Sequence, residues 1–299
     1  MKKLFFIVLI SSSILTAQTA GNSGLAFLKL GFGARNIAMG DLGVATANDV
    51  TALNYNPALI SGFTKSQLLF THNELIQDSR SELFGASFSL FNLPFALGIN
   101  TTTISDIEIR TQPGEAQSSF NINYFYVSLS SGFDITENLS LGVTAKYLNE
   151  NLFLAEANGW GFDFGANYKN VIEGLNIGAS LRNIGSMNEL LHEKTELPVD
   201  LRIGAAYSFA VNNLESDITV TGGLQKYTAS DNSHIHLGAE FLFKKMFAVR
   251  AGYMSGYETK GLTAGLGIFW SSINFDYAFT PYDFDLGSSH TISLMYNFK

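Results

Sequence analysis

From Ser66 to the C-terminus the chain alternates between apolar and small or polar positions in runs of about ten residues. Trp160, Phe162, Phe164, Ala166 and Tyr168 are separated by Gly161, Asp163, Gly165 and Asn167. Leu201, Ile203, Ala205, Tyr207 and Phe209 are separated by Arg202, Gly204, Ala206 and Ser208, and Phe247, Val249, Ala251 and Tyr253 stand against Arg250 and Gly252. Successive strand residues point to opposite faces, so each run predicts a strand with one oily face and one small or polar face. Fourteen runs can be placed: 66–72, 81–91, 93–105, 118–131, 139–149, 158–169, 174–183, 200–210, 216–226, 233–243, 246–256, 261–270, 272–280 and 289–298. The even count suits a closed bacterial barrel with both ends in one compartment.

The connections alternate as well. Polar loops such as 106–117, 183–199 and 281–288 follow the odd runs, including 150–157 after the fifth. Tight links follow the even runs: Asn92, Asp134 to Asn138, Asn170 to Glu173, Val211 to Glu215, Lys244-Lys245 and Ser271. Outer-membrane barrels sort their connections this way, with short periplasmic turns and longer outer loops, whereas a soluble β-sandwich has no reason to do so. The fold expected is all-β: a 14-stranded antiparallel transmembrane β-barrel over residues 66–299, with the N- and C-termini periplasmic.

Gly21 to Gly62 breaks the alternation. It is rich in Gly and Ala and holds two helix-compatible pieces, Asn36 to Met39 and Asp49 to Leu53. Residues 21–65 are therefore read as an N-terminal plug or hatch containing short helices. Lys2 and Lys3, the apolar run Leu4 to Ile10 and the small residues Ser11 to Ala17 have the three regions of a secretory signal peptide, assigned to 1–20 with cleavage after Ala17 or Ala20. The alternative, a transmembrane helix, needs about 20 apolar residues, and this run is much shorter.

Composition fits an envelope barrel. Charged residues are 15% of the chain, and Gly (28), Phe (25) and Tyr (12) are plentiful. The mean hydropathy is +0.14, too polar for a helical membrane protein but not for a barrel with one lipid-facing side. The formal net charge of −8, more acidic still without Lys2 and Lys3, argues against nucleic acid as a partner. With no cysteine there are no disulfides and no thiolate metal sites.

The polar faces carry Gly142, Gly161, Gly165, Gly178, Gly204, Gly238, Gly252, Gly265 and Gly267, as though another backbone approaches them. They also carry Lys146, Asp163, Arg182, Arg202, Glu240, Arg250 and Asp276. Inside a filled barrel these charges must pair with one another, with plug groups such as Arg35 and Asp49, or with water. They form either a structural network or a permeation pathway. Pro57 lacks an N–H and disfavours helix at Asn56, so Asn56-Pro57-Ala58 marks a rigid turn where the segment leaves the lumen, or an ordinary loop terminator.

The ordered set Ser23-Gly24-Leu25-Ala26-Phe27-Leu28-Lys29-Leu30-Gly31, Gly33-Ala34-Arg35, Ala38-Met39-Gly40, Ala45, Asn48-Asp49 and Asn54-Tyr55-Asn56-Pro57-Ala58-Leu59 resembles the opening of the PorV/PorQ family of FadL-like outer-membrane barrels. The resemblance implies a fourteen-stranded barrel with an N-terminal hatch whose motif is Asn56, Pro57 and Ala58. It implies a part in type IX protein secretion in envelopes of the Bacteroidetes type. The expected partners are the C-terminal domain of secreted cargo and a translocon or attachment complex, besides outer-membrane lipid and lipopolysaccharide. Loop 183–199, with Glu189, Leu190, Leu191 and Glu193, is the expected partner-binding loop. The broader FadL-like class implies the alternative, passage of hydrophobic small molecules.

Other chemistry is set aside. Gly31, Gly33 and Gly40 lack dinucleotide spacing. His234, His236 and Glu240 share a strand face, a coincidence that two-residue spacing produces easily. No Ser with a His partner suggests a phospholipase, and Asp283, Asp285 and Glu196 read as solvated acids. No cofactor, metal or catalytic residue is expected.

Overall fold

The computed structural model describes residues 24–298 except 191 and 230–231; the expected signal peptide and Leu191 lie outside the described residues. Fourteen strands close into an antiparallel barrel. In chain order they are β1 (Gln67–Glu74), β2 (Ser79–Leu90), β3 (Leu93–Ile109), β4 (Ser118–Asp134), β5 (Leu139–Leu152), β6 (Ala155–Tyr168) and β7 (Leu175–Met187). The two-residue pair β8 (Glu189–Leu190) and β9 (Glu193–Lys194) lies outside the wall. The wall resumes with β10 (Asp200–Val211), β11 (Ser216–Tyr227), β12 (Ser233–Phe243), β13 (Phe247–Ser255), β14 (Leu262–Trp270), β15 (Ile273–Pro281) and β16 (Ser288–Asn297). Closure joins β1 to β16 in register from Gln67↔Asn297 to Glu74↔His290.

The faces sort as the alternation requires. Trp160, Phe162 and Phe164 on β6, and Val249 and Leu266 on β13 and β14, point outward and are 40–57% exposed, while Asp163 and Arg250 point inward and are buried. Outward hydrocarbon on a closed barrel has lipid as its solvent. The two-residue link Phe91-Asn92 holds both residues at positive φ, which matches the strand twist, and Lys244 and Lys245 of the three-residue link 244–246 are also at positive φ.

The difference between the two ends resides in the strands more than in the loops. β3 and β4 have 17 residues each, whereas β13, β14 and β15 have 9. The expected loop 150–157 is instead a two-residue turn at Phe153-Leu154, because β5 and β6 keep pairing as far as Leu152↔Ala155. Likewise the expected loop from Asp106 is strand to Ile109, with a register shift between Ile104 and Ile107.

The apolar core lies inside the barrel and is supplied by residues 24–62. Leu25, Phe27, Phe32, Val50, Leu53, Tyr55 and Ile60 are buried against Leu69, Leu83, Tyr126, Leu148 and Met295 of the wall. The helices sit close to the expected places but not on them. α1 is Ala34–Ala38 because Gly33, at φ 85, turns the chain and its carbonyl accepts from Asn36 and Ile37. α2 is Ala52–Tyr55, and Asp49 to Thr51 form the turn before it. Short 3₁₀ turns at Ala26–Lys29 and Pro57–Gly62 add to the elements that the sequence suggested.

Candidate functional site

The inner surface and residues 24–62 meet along the whole lumen. Gly24 lies against Thr195, between β9 and β10, at the end that carries the longer connections. Pro57–Gly62 packs on β4, β5 and β6 at the opposite end, where β1 begins. The first described residue and the C-terminal strand end therefore stand at opposite ends of the barrel.

Approach of the segment's backbone explains the inward glycines Gly142, Gly178, Gly238 and Gly252, whereas Gly165 and Gly204 first meet segment side chains and Gly265 the Tyr277 carbonyl of the wall. A Cβ on Gly142 would collide with the Pro57 carbonyl carbon, and one on Gly238 with the Met39 carbonyl oxygen. Gly161 departs from the set, since its nearest neighbour would be Leu148 of the wall at 3.4 Å. Gly267 makes room for the Arg250 and Asp276 side chains rather than for the N-terminal segment.

The charged positions gather into two groups. In the first, Arg35 of α1 donates to Glu240 through Nε (3.0 Å) and Nη2 (2.8 Å) and to the Thr46 carbonyl (2.8 Å). Arg250 donates to Glu240 (2.6 Å) and to Asp276 (2.7 Å), so two guanidinium groups and two carboxylates tie α1 to β12, β13 and β15. In the second, Arg182 holds both oxygens of Asp200 at 2.7 Å and donates to the Asn54 carbonyl. Arg202 donates to Asp200 (3.1 Å) and to the Asp41 carbonyl (2.9 Å). Beside them Lys146 meets Asp163 at 2.7 Å and Asn183 at 2.9 Å. Such buried ions persist because partners replace their water.

Asp49 does not join either group. It accepts from the Thr51 amide (2.9 Å) and from the Thr51 hydroxyl, closing the turn before α2. Asp200, absent from the sequence expectation, is the hub of the second group. It begins an alternation run two residues before Arg202, so strand parity alone puts the two on one face. Asp41 is likewise absent from the expectation. Its carboxylate accepts from the Tyr55 hydroxyl (2.6 Å), which in turn accepts from the Phe32 amide (3.1 Å).

Asn56, Pro57 and Ala58 form a joint between segment and wall. Asn56 Oδ1 accepts from the Ala58 amide (3.1 Å), capping the turn that Pro57 opens. Its Nδ2 donates to the Val44 carbonyl (2.7 Å) and to the Ala166 carbonyl of β6 (3.0 Å). The chain stays inside through Ile60, three residues past this turn, and is exposed by Gly62, just before β1.

The expected partner-binding residues divide. Glu189 and Glu193 are exposed, whereas Leu190 packs against the internal apolar cluster together with Leu197. The Pro198 carbonyl accepts from Asn183 and Thr195 donates to Glu150, so this connection folds over the lumen. His236 faces the Gly40 carbonyl, His234 stacks 3.9 Å from the Tyr257 ring, and Glu240 is held by Arg35 and Arg250, which leaves these three side chains in different roles. Lys260, in the β13–β14 connection, lies 4.6 Å over the Tyr257 ring, and burial lowers its pKa.

Two cavities lined by described residues lie beside the segment, of about 30 Å³ next to Leu30, Asp41, Asn73 and Lys260 and about 10 Å³ next to Arg35, Asp49 and Asp276. Each has room for a water and not for an organic molecule.

Comparison with known proteins places this arrangement. The sequence matches the family model described as type IX secretion system protein PorV over residues 16–230. Comparison with curated protein sequences finds no match. Among solved structures, the Pseudomonas putida toluene transporter TodX superposes with a TM-score of 0.65 at 14% identity, covering 89% of this chain and 98% of that one. The Ralstonia pickettii toluene transporter TbuX gives 0.60 at 14%, covering 90% and 99%. A Pseudomonas aeruginosa FadL homologue gives 0.50 at 12%, covering 86% and 98%. At such identities the likeness is one of fold: a FadL-like outer-membrane barrel.

Proposed function

Since this chain belongs to the PorV family of type IX secretion system proteins, we propose that it is an outer-membrane barrel that handles protein partners at the end bearing its longer connections. In this reading residues 24–62 are a plug, the end with short turns is periplasmic, and the lumen is closed to traffic. One observation carries it: the segment, its buried ion groups, and Leu190 and Leu197 of the 188–199 connection above them fill the lumen, and the two cavities lined by described residues beside the segment are water-sized. Activity then resides on the surface. The partners proposed are secreted cargo with its C-terminal domain and the translocon or attachment complex, with Glu189 and Glu193 facing them; no catalytic step is assigned.

The alternative, passage of hydrophobic small molecules, draws on one feature of the wall. Pairing of β6 with β7 shifts register between Phe162 and Phe164, where a lateral exit would form. There, however, the Asn183 amide donates to Asp163, Lys146 meets Asp163, and Asn183 reaches the Pro198 carbonyl, which bridges the gap.

The test is a photoreactive residue at Glu189 or Glu193 in native outer membranes. Recovery of secreted proteins sharing one C-terminal domain, or of a very large translocon barrel, supports the secretion reading. Adducts of lipid or lipopolysaccharide alone, in cells actively exporting such cargo, overturn it.

A further inference from the structure

The distal halves of β3, β4, β5 and β6 rise above the rest of the wall as a flap. β3 has 17 residues and β14 has 9. At the rise of an extended chain, that difference is roughly 27 Å along the strand. Within the lipid band, β4 turns Phe125, Val127 and Leu129 outward and Tyr126, Ser128 and Ser130 inward, where all three are buried. Beyond it the pattern inverts. Asn121 and Asn123 point outward and are exposed, while Phe120, Ile122 and Tyr124 take the inner face and are half-buried.

The neighbouring strands repeat the inversion in register. Ile104 pairs with Ile122 and Ile122 with Leu152, which makes an apolar row across three strands. Ile107 pairs with Phe120, whose ring lies 5.0 Å from that of Phe153 at the flap tip. Phe27 of the N-terminal segment covers Tyr124 at 5.0 Å, and the rows beyond it extend past this contact. Leu154, beside Phe153, is 87% exposed. Outside the membrane an apolar sheet face turned toward the barrel axis is a binding surface rather than a lipid contact.

Two further features define what it would hold. β2 pairs with β3 only as far as Ser79↔Ile104, so Ile107 to Ile109 have a strand neighbour on the β4 side and, among the described residues, none on the other. An open edge of this kind accepts an added strand. The exposed charges around the inner face are mainly acidic: Asp106, Glu115, Glu189 and Glu193 stand against Arg80 and Lys194, and Arg110 is engaged by Glu108.

We propose that the inner face and the β3 edge of this flap dock an extended, positively charged protein segment in which apolar side chains alternate. The inference rests on the secretion reading and specifies its partner. The apolar side chains of one part of the segment lie across the inner face on Leu152, Ile122 and Ile104, the part that follows turns at the β3 edge to pair its backbone with Ile107 to Ile109, and its basic side chains meet the rim carboxylates.

The test uses the full barrel in lipid nanodiscs and a fluorescent peptide of alternating valine and lysine, with alternating valine and glutamate as control. The lysine peptide is expected to bind. Ile122→Asn is expected to weaken it about tenfold, as loss of a central apolar anchor does, while Asn123→Ala on the outward face leaves it unchanged. Equal binding of both peptides, an unchanged affinity in Ile122→Asn, or displacement of the peptide by lipopolysaccharide vesicles would overturn the proposal. Heat-modifiable migration checks that the variant is folded, and Leu152→Asn replaces it otherwise. Export assays separate the two levels of inference. If a strain lacking the gene exports cargo normally, the secretion reading falls together with the docking surface. If that strain is blocked while Ile122→Asn exports normally, the reading stands and the docking surface is overturned.

Discussion

Asn56 shows how much one side chain holds here. Its carboxamide uses its acceptor on the Ala58 amide and its donors on Val44 and on Ala166, so it joins two parts of the N-terminal segment to β6. Asn56→Ala removes a cap worth about 1 kcal/mol and strands buried carbonyls at a further ~1–3 kcal/mol. The expected outcome is a clear fall in the temperature at which the heat-modifiable band unfolds. Arg35 makes the same kind of link through charge. Arg35→Ala leaves Glu240 with Arg250 alone and should cost roughly 3 kcal/mol. The double variant Arg35→Ala/Glu240→Ala should cost less than the sum of the singles, which a thermal double-mutant cycle would read. Alternation placed the inward charges, because parity along a strand fixes the face. It did not reveal their pairing, which depends on register between strands far apart in sequence, nor that Asp49 bonds its own turn.

At the level of elements, the strands were legible almost to their ends because each alternation run carries its own signal. The flap was not: its apolar residues keep alternating with polar ones after the faces have exchanged meaning, so sequence cannot locate the membrane boundary along β4. The segment 24–62 was legible as non-strand, yet its helices are four and five residues long and are set by contacts with the wall rather than by propensity. Connection 188–199 reads from its polar composition as a wholly outward loop, although Leu190 and Leu197 turn inward. Leu197→Asp is therefore expected to destabilise the barrel by roughly 2–3 kcal/mol, the scale of a buried leucine, whereas Glu193→Gln should leave stability within about 0.5 kcal/mol. Thermal unfolding of both variants in detergent would show whether this connection is a lid on the lumen or a free loop; equal stability would mean the latter.

For the whole molecule, the question is whether anything passes through. The shared fold with toluene transporters makes the shape of the barrel common ground, and the contents of the lumen decide the matter. Holding a molecule the size of benzene takes an apolar cavity of about 150 Å³. Of the two cavities lined by described residues, the larger, beside Asp41 and Lys260, is about 30 Å³ and partly polar, and does not admit such a molecule. Two ion groups and the Asn56 joint fasten the segment at separate heights, so displacing it would break several buried contacts together. The intact protein in planar bilayers is accordingly expected to show no steady conductance and, reconstituted in vesicles, no uptake of a monoaromatic hydrocarbon above that of protein-free lipid. Arg35→Ala/Asn56→Ala, which frees the segment at two heights while leaving the wall residues in place, should conduct in bursts. Bursts in the double variant alone would identify the segment as a fixed seal, and the outer flap and loops would remain as the working surface. Hydrocarbon uptake by the unaltered barrel would instead show that the segment moves in the native protein, and would return the alternative reading to first place.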